Sequence, residues 1–443
     1  MGLGLAPSAG AGRLVKRPWV IAGLRALLRL YYPRTTASHL ERLPAQGPVI
    51  VLANHPNGLL DPVVLQNALG RPLRFLGKST FWNNPIGRFT MESLEVLPAH
   101  RAHESDTSKN ELTFARCRDH LAAAGWLALF PEGKSHSETT LQPLKTGAAR
   151  IALSAAAAGT ANLQLLPVGL LYEQKETFRS AVGAVVGHPI AVADLLDAYA
   201  ADPRAAAVTL TERIHAALAE VVLQANDGEL LRGLVAVATW TADDGGADLA
   251  ARDRRALRLA AAARALAASD PDRLDALVAR TRRFAAAMQE AGLSDPFSAE
   301  QPAPLRLVFG LLSLLLLLPV ALVGAAFAWL PYRAVGPIAV RIAGSETDIF
   351  GTAKVLLGLM VLTVTYLAWA VAAAVAFGPL AGLATLVIAP PTGLAALRFD
   401  ERWQRRKEAL RGVWVASQNR RAAALAQARR DLCAEVEAAL REA

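Results

Sequence analysis

At 443 residues the chain exceeds one ordinary domain, and a composition that is 53% hydrophobic and only 19% charged, with a mean hydropathy of +0.28, implies a concentrated apolar region beside a normal globular one. The net charge of +9 would suit nucleic acid, but basic residues gather beside apolar runs, at Arg402, Arg405, Arg406 and Lys407 and from Arg13 to Arg34. Anionic membrane lipid is therefore the expected partner, with no nucleic acid, and two widely separated cysteines, Cys117 and Cys433, exclude a disulfide framework.

Taken in chain order, the first element is a predicted amphipathic helix over Val15 to Tyr32, in which Trp19, Ile21, Leu24, Leu27 and Leu28 alternate with Lys16, Arg17, Arg25 and Arg29. It suits either the membrane interface or a surface groove of the following domain. Arg25 and Arg29 interrupt its apolar stretch, which argues against a cleavable signal peptide. An α/β region follows, with short apolar strands predicted at Pro48 to Ala53, Trp126 to Phe130 and Leu163 to Val168, the first two running straight into polar turns. Beyond about Ala191 apolar spacings of three and four predict helices over Leu210 to Leu223, Leu249 to Ala268 and Leu274 to Met288. Two uncharged runs then reach membrane-spanning length, Leu307 to Leu330 and Val355 to Leu397. The second is long enough for two spans broken at Gly378-Pro379, and Pro390-Pro391 favours two full spans plus a shorter, re-entrant element.

Chemistry concentrates where strands end. Asn54-His-Pro-Asn-Gly-Leu-Leu-Asp-Pro62 offers His55 as a general base and Asp61 as the carboxylate that holds its tautomer; Asn57-Gly58 permits a tight turn, and Asp61-Pro62 predicts an extended or turning chain. Phe130-Pro-Glu-Gly-Lys-Ser135 offers exposed amides at Gly133, the cation of Lys134, the hydroxyl of Ser135 and Glu132, a set suited to phosphate oxygens or a substrate hydroxyl. Gly133-Lys134-Ser135 is not the end of a P-loop, because the glycine required five residues earlier is Ala128. Leu97-Pro-Ala-His-Arg101 brings a guanidinium suited to phosphate, and Leu166-Pro-Val168 an apolar wall, through Pro167 and Val168, for an acyl channel. His100 and His103 lack a third ligand, so no metal is expected, and the chain holds no Gly-x-Ser-x-Gly elbow for a serine nucleophile.

These four elements, in this order over Pro44 to Ile190, resemble the glycerol-3-phosphate and lysophosphatidic acid acyltransferase family. The resemblance implies a glycerolipid-acyltransferase-like α/β domain, a mixed sheet flanked by helices, in which His55 deprotonates the acceptor hydroxyl, Asp61 orients His55, and Arg101, Glu132, Gly133, Lys134 and Ser135 hold the acceptor phosphate, with Pro131 shaping that turn. Lys145-Thr-Gly-Ala148 and Phe178-Arg-Ser180 resemble accessory elements of one branch of the family. Two departures stand out. Five residues, not four, separate His55 from Asp61, so either a bulge at Asn57-Gly58 absorbs the extra one, the reading favoured here, or the dyad is broken. Glu95 occupies the position where the arginine motif usually starts with glycine.

The expected organisation is a basic amphipathic membrane-interface segment (1–43), a catalytic domain (44–230), an Ala/Arg-rich helical region (231–303), a transmembrane region (304–398) and a basic helical tail (399–443). The expected activity is acyl transfer from acyl-CoA or acyl carrier protein, as co-substrate and without a cofactor, to a hydroxyl of glycerol 3-phosphate or lysophosphatidic acid. A bacterial inner membrane with the catalytic side in the cytoplasm is the expected location. The competing expectation is a non-catalytic, acyltransferase-like membrane scaffold or lipid-binding protein.

Overall fold

The computed structural model describes residues 17–100, 110–226, 228–242, 248–293, 304–344 and 350–442. They form two compact units, one comprising the chain up to Arg232 together with Leu249–Leu257, the other Gly233–Asp248 and Arg258–Ala443.

The first unit is a mixed α/β domain. Its elements are α1 (Pro18–Tyr31), β1 (Arg34–Ser38), β2 (Val49–Ala53), α2 (Leu60–Leu69), β3 (Arg74–Lys78), α3 (Pro85–Ser93), β4 (Leu97–Ala99), α4 (Asn110–Ala122), β5 (Trp126–Leu129), α5 (Gly147–Ala157), β6 (Gln164–Tyr172), β7 (Ala181–Val186), β8 (Ile190–Ala191), α6 (Leu196–Ala201), α7 (Pro203–Val221) and the start of α8 (Gly228–Trp240). The strand order is β1-β7-β6-β2-β5-β3-β4, with β8 also on β6. Pairing is parallel except where β7 and β8 run antiparallel to β6.

Burial explains the strands that were legible. β2 (Val-Ile-Val-Leu-Ala) and β5 (Trp-Leu-Ala-Leu) are buried along their whole length, as continuous apolar runs in the middle of a covered sheet should be. β2 and β5 pair in register from Val49 on Trp126 to Leu52 on Leu129, so their carboxyl ends lie side by side and the turns that follow start from one edge. The half-polar strand β1, Arg-Thr-Thr-Ala-Ser, gives no such signal, yet it pairs with β7 from Arg34 on Ala181 to Ser38 on Val185. The sheet therefore begins ten residues before Pro44. Asx-Pro pairs open several helices: Asn84, Asp202 and Asp270 each accept backbone N–H bonds from the first turn, with proline at the next position.

The Ala/Arg-rich stretch does not stand as one body. The first turns of α9 (Leu249–Ser269) belong to the α/β unit, where Arg252 bridges to Glu173 at 2.9 Å and Ser38 Oγ donates to the carbonyl of Ala250. In the second unit α10 (Pro271–Ala291) pairs with α14 (Asn419–Glu442) through Arg273 with Glu442 and Arg280 with Glu435.

Three helices of the second unit, α11 (Pro304–Ala343), α12 (Phe350–Phe377) and α13 (Pro379–Ser417), are long and apolar enough to cross a membrane. The break at Gly378 is where expected, with the glycine at φ +92°. Pro390-Pro391 does not end or turn the third segment back, however: α13 continues through both prolines. Its 19 uncharged residues from Pro379 to Leu397 would span roughly 28 Å, close to a hydrocarbon core. Close packing of α11 on α13 at this level supports the weakened backbone ladder; a Cβ on Gly324 would meet the carbonyl of Thr392 at 1.8 Å, so small residues let the two backbones meet.

Cys117 tests the core of the first unit. It is wholly buried in α4, and burial pushes its thiol up to about 12. At pH 8 it should resist alkylation in the folded protein and react only on unfolding, as read by peptide mass spectrometry; prompt native labelling at Cys117 would contradict this packing.

Candidate active site

The site is built on the adjoining ends of β2, β5 and β6. Asn54, directly after β2, extends the sheet with its side chain: its amide donates to the carbonyl of Leu170 at 3.1 Å and its Oδ1 accepts the Leu170 N–H at 2.7 Å. This pins the chain one residue before His55.

The next five residues fold into a turn. Gly58 sits at φ +41°, a left-handed conformation that glycine adopts at little cost, and the Leu60 N–H donates to the carbonyl of Asn57 at 3.0 Å. The extra residue between His55 and Asp61 is taken up here, and Asp61 stands not on an extended segment but in the first turn of α2, where a carboxylate faces favourable helix-end amides. As a result Asp61 Oδ2 lies 2.9 Å from His55 Nδ1.

Asp61 is fully buried, so its charge depends on donors. Besides His55 it accepts the Asn57 N–H on Oδ2 at 2.7 Å and the Tyr172 hydroxyl on Oδ1 at 2.5 Å. Tyr172 closes β6 and owes its position to the ladder with β2 and β7. Burial first, and then the nearby Asp61 charge, raises the Tyr172 hydroxyl well above the ordinary tyrosine range, so it stays protonated as a donor. The imidazole stacks on Phe130, centroids 4.0 Å apart and planes 11° from parallel. With Nδ1–H donated to Asp61, Nε2 carries the free lone pair, and the side chain is 17% exposed.

The second turn leaves β5 through Phe130. Gly133, at φ +77°, and Lys134 are exposed, Ser135 is half-buried, and Pro131 is buried while its carbonyl accepts the Lys145 N–H at 2.7 Å. Glu132 points inward instead of facing a ligand at the surface. Its fully buried carboxylate accepts the His55 N–H at 2.9 Å and the Gln142 N–H at 2.9 Å and pairs with His136. It thus fastens the second turn to the backbone of His55. Both turns are further joined by the Lys175 ammonium, which donates to the Pro56 carbonyl at 3.1 Å and to Ser137 Oγ at 2.6 Å.

Pro167 and Val168 are buried in β6, opposite Leu52 and Ala53 of β2. Pro167 falls between the β8 and β7 pairings, where a strand can spare a donor, and its carbonyl accepts the Gly187 N–H. Arg101 and His103 lie outside the described residues. Glu95, which stands where glycine was expected, takes the left-handed conformation itself at φ +51°, and its carboxylate accepts from Arg74 at 2.6 Å, an ion pair that offsets the backbone cost.

Comparison with known proteins bears on this geometry. A family model described as Acyltransferase matches residues 34–171, which run from the first residue of β1 to the penultimate residue of β6. This segment is similar to that family. The chain is 36% identical over 124 residues to glycerol-3-phosphate O-acyltransferase 2 of Saccharomyces cerevisiae, covering 28% of this chain and 17% of that protein. It is 34% identical over 122 residues to glycerol-3-phosphate O-acyltransferase 1 of the same yeast, covering 27% and 16%. The chain therefore spans about a sixth of the length of these curated relatives. A crystal structure of the 1-acyl-sn-glycerophosphate acyltransferase PlsC from Thermotoga maritima aligns over 46% of this chain and 80% of its own, with 16% identity and a TM-score of 0.34.

His55, Asp61 and the Glu132 turn, which the motifs single out, are brought together by the structure, and the motifs do not point to Tyr172, Tyr32, His136 or Lys175, which join them there. The signal for Tyr172 was faint: a tyrosine closing an apolar strand, which ordinarily reads as a sheet edge.

Two consequences can be measured. Tyr172 and Tyr32 both keep their protons in the fold, Tyr32 chiefly through burial, whereas in the unfolded chain tyrosine ionises near pH ~10. The folded state then binds more protons, so stability is intact below about pH 10 and falls above it, by up to ~1.4 kcal/mol per pH unit for each group; urea melts from pH 8 to 11 should show this slope, reduced in Tyr172→Phe. At Glu95, replacement by glycine relieves ~1–2 kcal/mol of left-handed strain while losing the Arg74 pair, so Glu95→Gly should melt within about 1 kcal/mol of wild type and Glu95→Val, which keeps the strain alone, clearly below it.

Proposed function

We propose that this protein transfers a fatty acyl group from an acyl thioester, acyl-CoA or acyl carrier protein, to a hydroxyl of glycerol 3-phosphate or lysophosphatidic acid. The observation that carries the reading is the 2.9 Å contact between His55 Nδ1 and the wholly buried Asp61, which leaves Nε2 as a partly exposed base within the segment matched by the acyltransferase family model. In the proposed reaction His55 Nε2 takes the hydroxyl proton as the acceptor oxygen attacks the thioester carbonyl, and Asp61 stabilises the imidazolium. The tetrahedral intermediate then expels the thiolate, which recovers the proton from His55. Backbone amides beside the dyad supply the oxyanion donors.

Lys134, Ser135 and the amide of Gly133 form the proposed phosphate side of the acceptor site, with Arg101 as a further cation. In this reading Glu132 acts by holding that turn against His55, and Pro167 and Val168 form the inner wall beside which the acyl chain lies. The relatives' names, both glycerol-3-phosphate O-acyltransferases, support this acceptor class. Membrane association follows from the three apolar helices, and suits substrates and products whose acyl chains partition into lipid. Those relatives are yeast proteins, which give no support to a bacterial inner membrane in particular.

The test is acyl transfer by detergent-purified protein to glycerol 3-phosphate, dihydroxyacetone phosphate and lysophosphatidic acid from each thioester donor. His55→Ala should lower kcat by ~10²- to 10⁴-fold. Near-full activity of that variant would refute the mechanism, and no transfer to any acceptor would refute the function.

A further inference from the structure

Beyond the dyad, one chain of buried hydrogen bonds leads out of the site and ends on the N-terminal helix. Tyr32, the residue after α1, has no exposed surface. Its hydroxyl donates to the Lys175 carbonyl at 2.5 Å, and because that spends its one proton it must accept from its other neighbour, the Asn57 side-chain amide, at 2.8 Å. Asn57 is the residue whose backbone N–H donates to Asp61 Oδ2. Asn57 Oδ1 has no partner although it is buried, so the orientation of this side chain is set by its Nδ2 contact to Tyr32. The Tyr32 ring packs against both Tyr31, 4.8 Å away in an edge contact, and Tyr172, 5.3 Å away. Tyr31 in turn receives the Arg179 N–H on its carbonyl at 2.7 Å and meets the Phe178 ring. The end of α1 thus clamps the β6–β7 loop and the turn between His55 and Asp61 at the same point.

We infer that Tyr32 is a positioning residue for acyl transfer: it fixes Asn57, which fixes Asp61, which aims His55, so that α1 is a working part of the catalytic centre. Removing the hydroxyl leaves the buried Asn57 Nδ2 and the Lys175 carbonyl to find other partners, and the turn that presents its N–H to Asp61 relaxes. The ring contacts survive in Tyr32→Phe, which keeps the fold.

The inference rests on the acyl-transfer reading for one of its two readouts only. Wild type, Tyr32→Phe, Asp61→Asn and the double variant are compared for kcat and KM, and, independently of turnover, for the rate at which diethyl pyrocarbonate modifies His55, followed by mass spectrometry. If Tyr32 acts through the dyad, Tyr32→Phe lowers kcat about tenfold or more with KM within about twofold, slows modification about threefold, and does neither once Asp61 is Asn. Effects that multiply with those of Asp61→Asn, or a Tyr32→Phe protein like wild type in both readouts, would overturn it. Should Tyr32→Phe not fold, Asn57→Ala takes its place in the same cycle. A wild type inactive towards every acceptor would defeat the proposed function while the modification arm still decides the role of Tyr32.

Discussion

Burying a carboxylate is expensive unless donors surround it, and most of the α/β unit can be understood as the means of surrounding Asp61. One donor comes from the turn after β2, one from the end of β6, and one from the imidazole whose chemistry the charge serves. None of these would be in place without the parallel register that ends β2 beside β5 and lets β6 run past both. The sheet therefore matters to the site less as a platform than as a ruler, setting which residues arrive at the same depth.

A second buried carboxylate repeats the logic. Glu132 is satisfied by the backbone of His55, by Gln142 and by His136, and so joins two separate strand-end turns. A residue expected to face a ligand instead joins the two turns. The exposed part of the same turn is Gly133 and Lys134. In the proposed function that division is chemically sensible, because a carboxylate exposed beside a bound phosphate would repel it.

How much was legible from residues alone depended on the range of the interaction. β2 and β5 were readable because fully buried strands are continuous apolar runs, and the His55 and Glu132 turns because polar clusters directly after such strands are conspicuous. The long apolar helices were readable from length and lack of charge, but Pro390-Pro391 misled, since a local rule about proline was overridden by packing against a neighbouring helix at Gly324. β1 was hidden because its pairing with β7 joins residues about 150 apart and its sequence is half polar. Tyr172 and Tyr32 were hidden for the same reason. Each lies more than twenty residues from the group it supports, and no spacing rule connects them. The ambiguity of the long His55 to Asp61 interval was a local matter, and a single glycine at positive φ resolves it geometrically.

In the proposed mechanism the charge of Asp61, held by its three donors, sets His55 to act through Nε2. Its most direct measurement is the steady-state kinetics of Asp61→Asn, which preserves shape and removes only the charge and the tautomer preference. In that mechanism kcat falls by about two to four orders of magnitude while KM for the acceptor stays within a few-fold. An Asp61→Asn enzyme with kcat near that of wild type would contradict it.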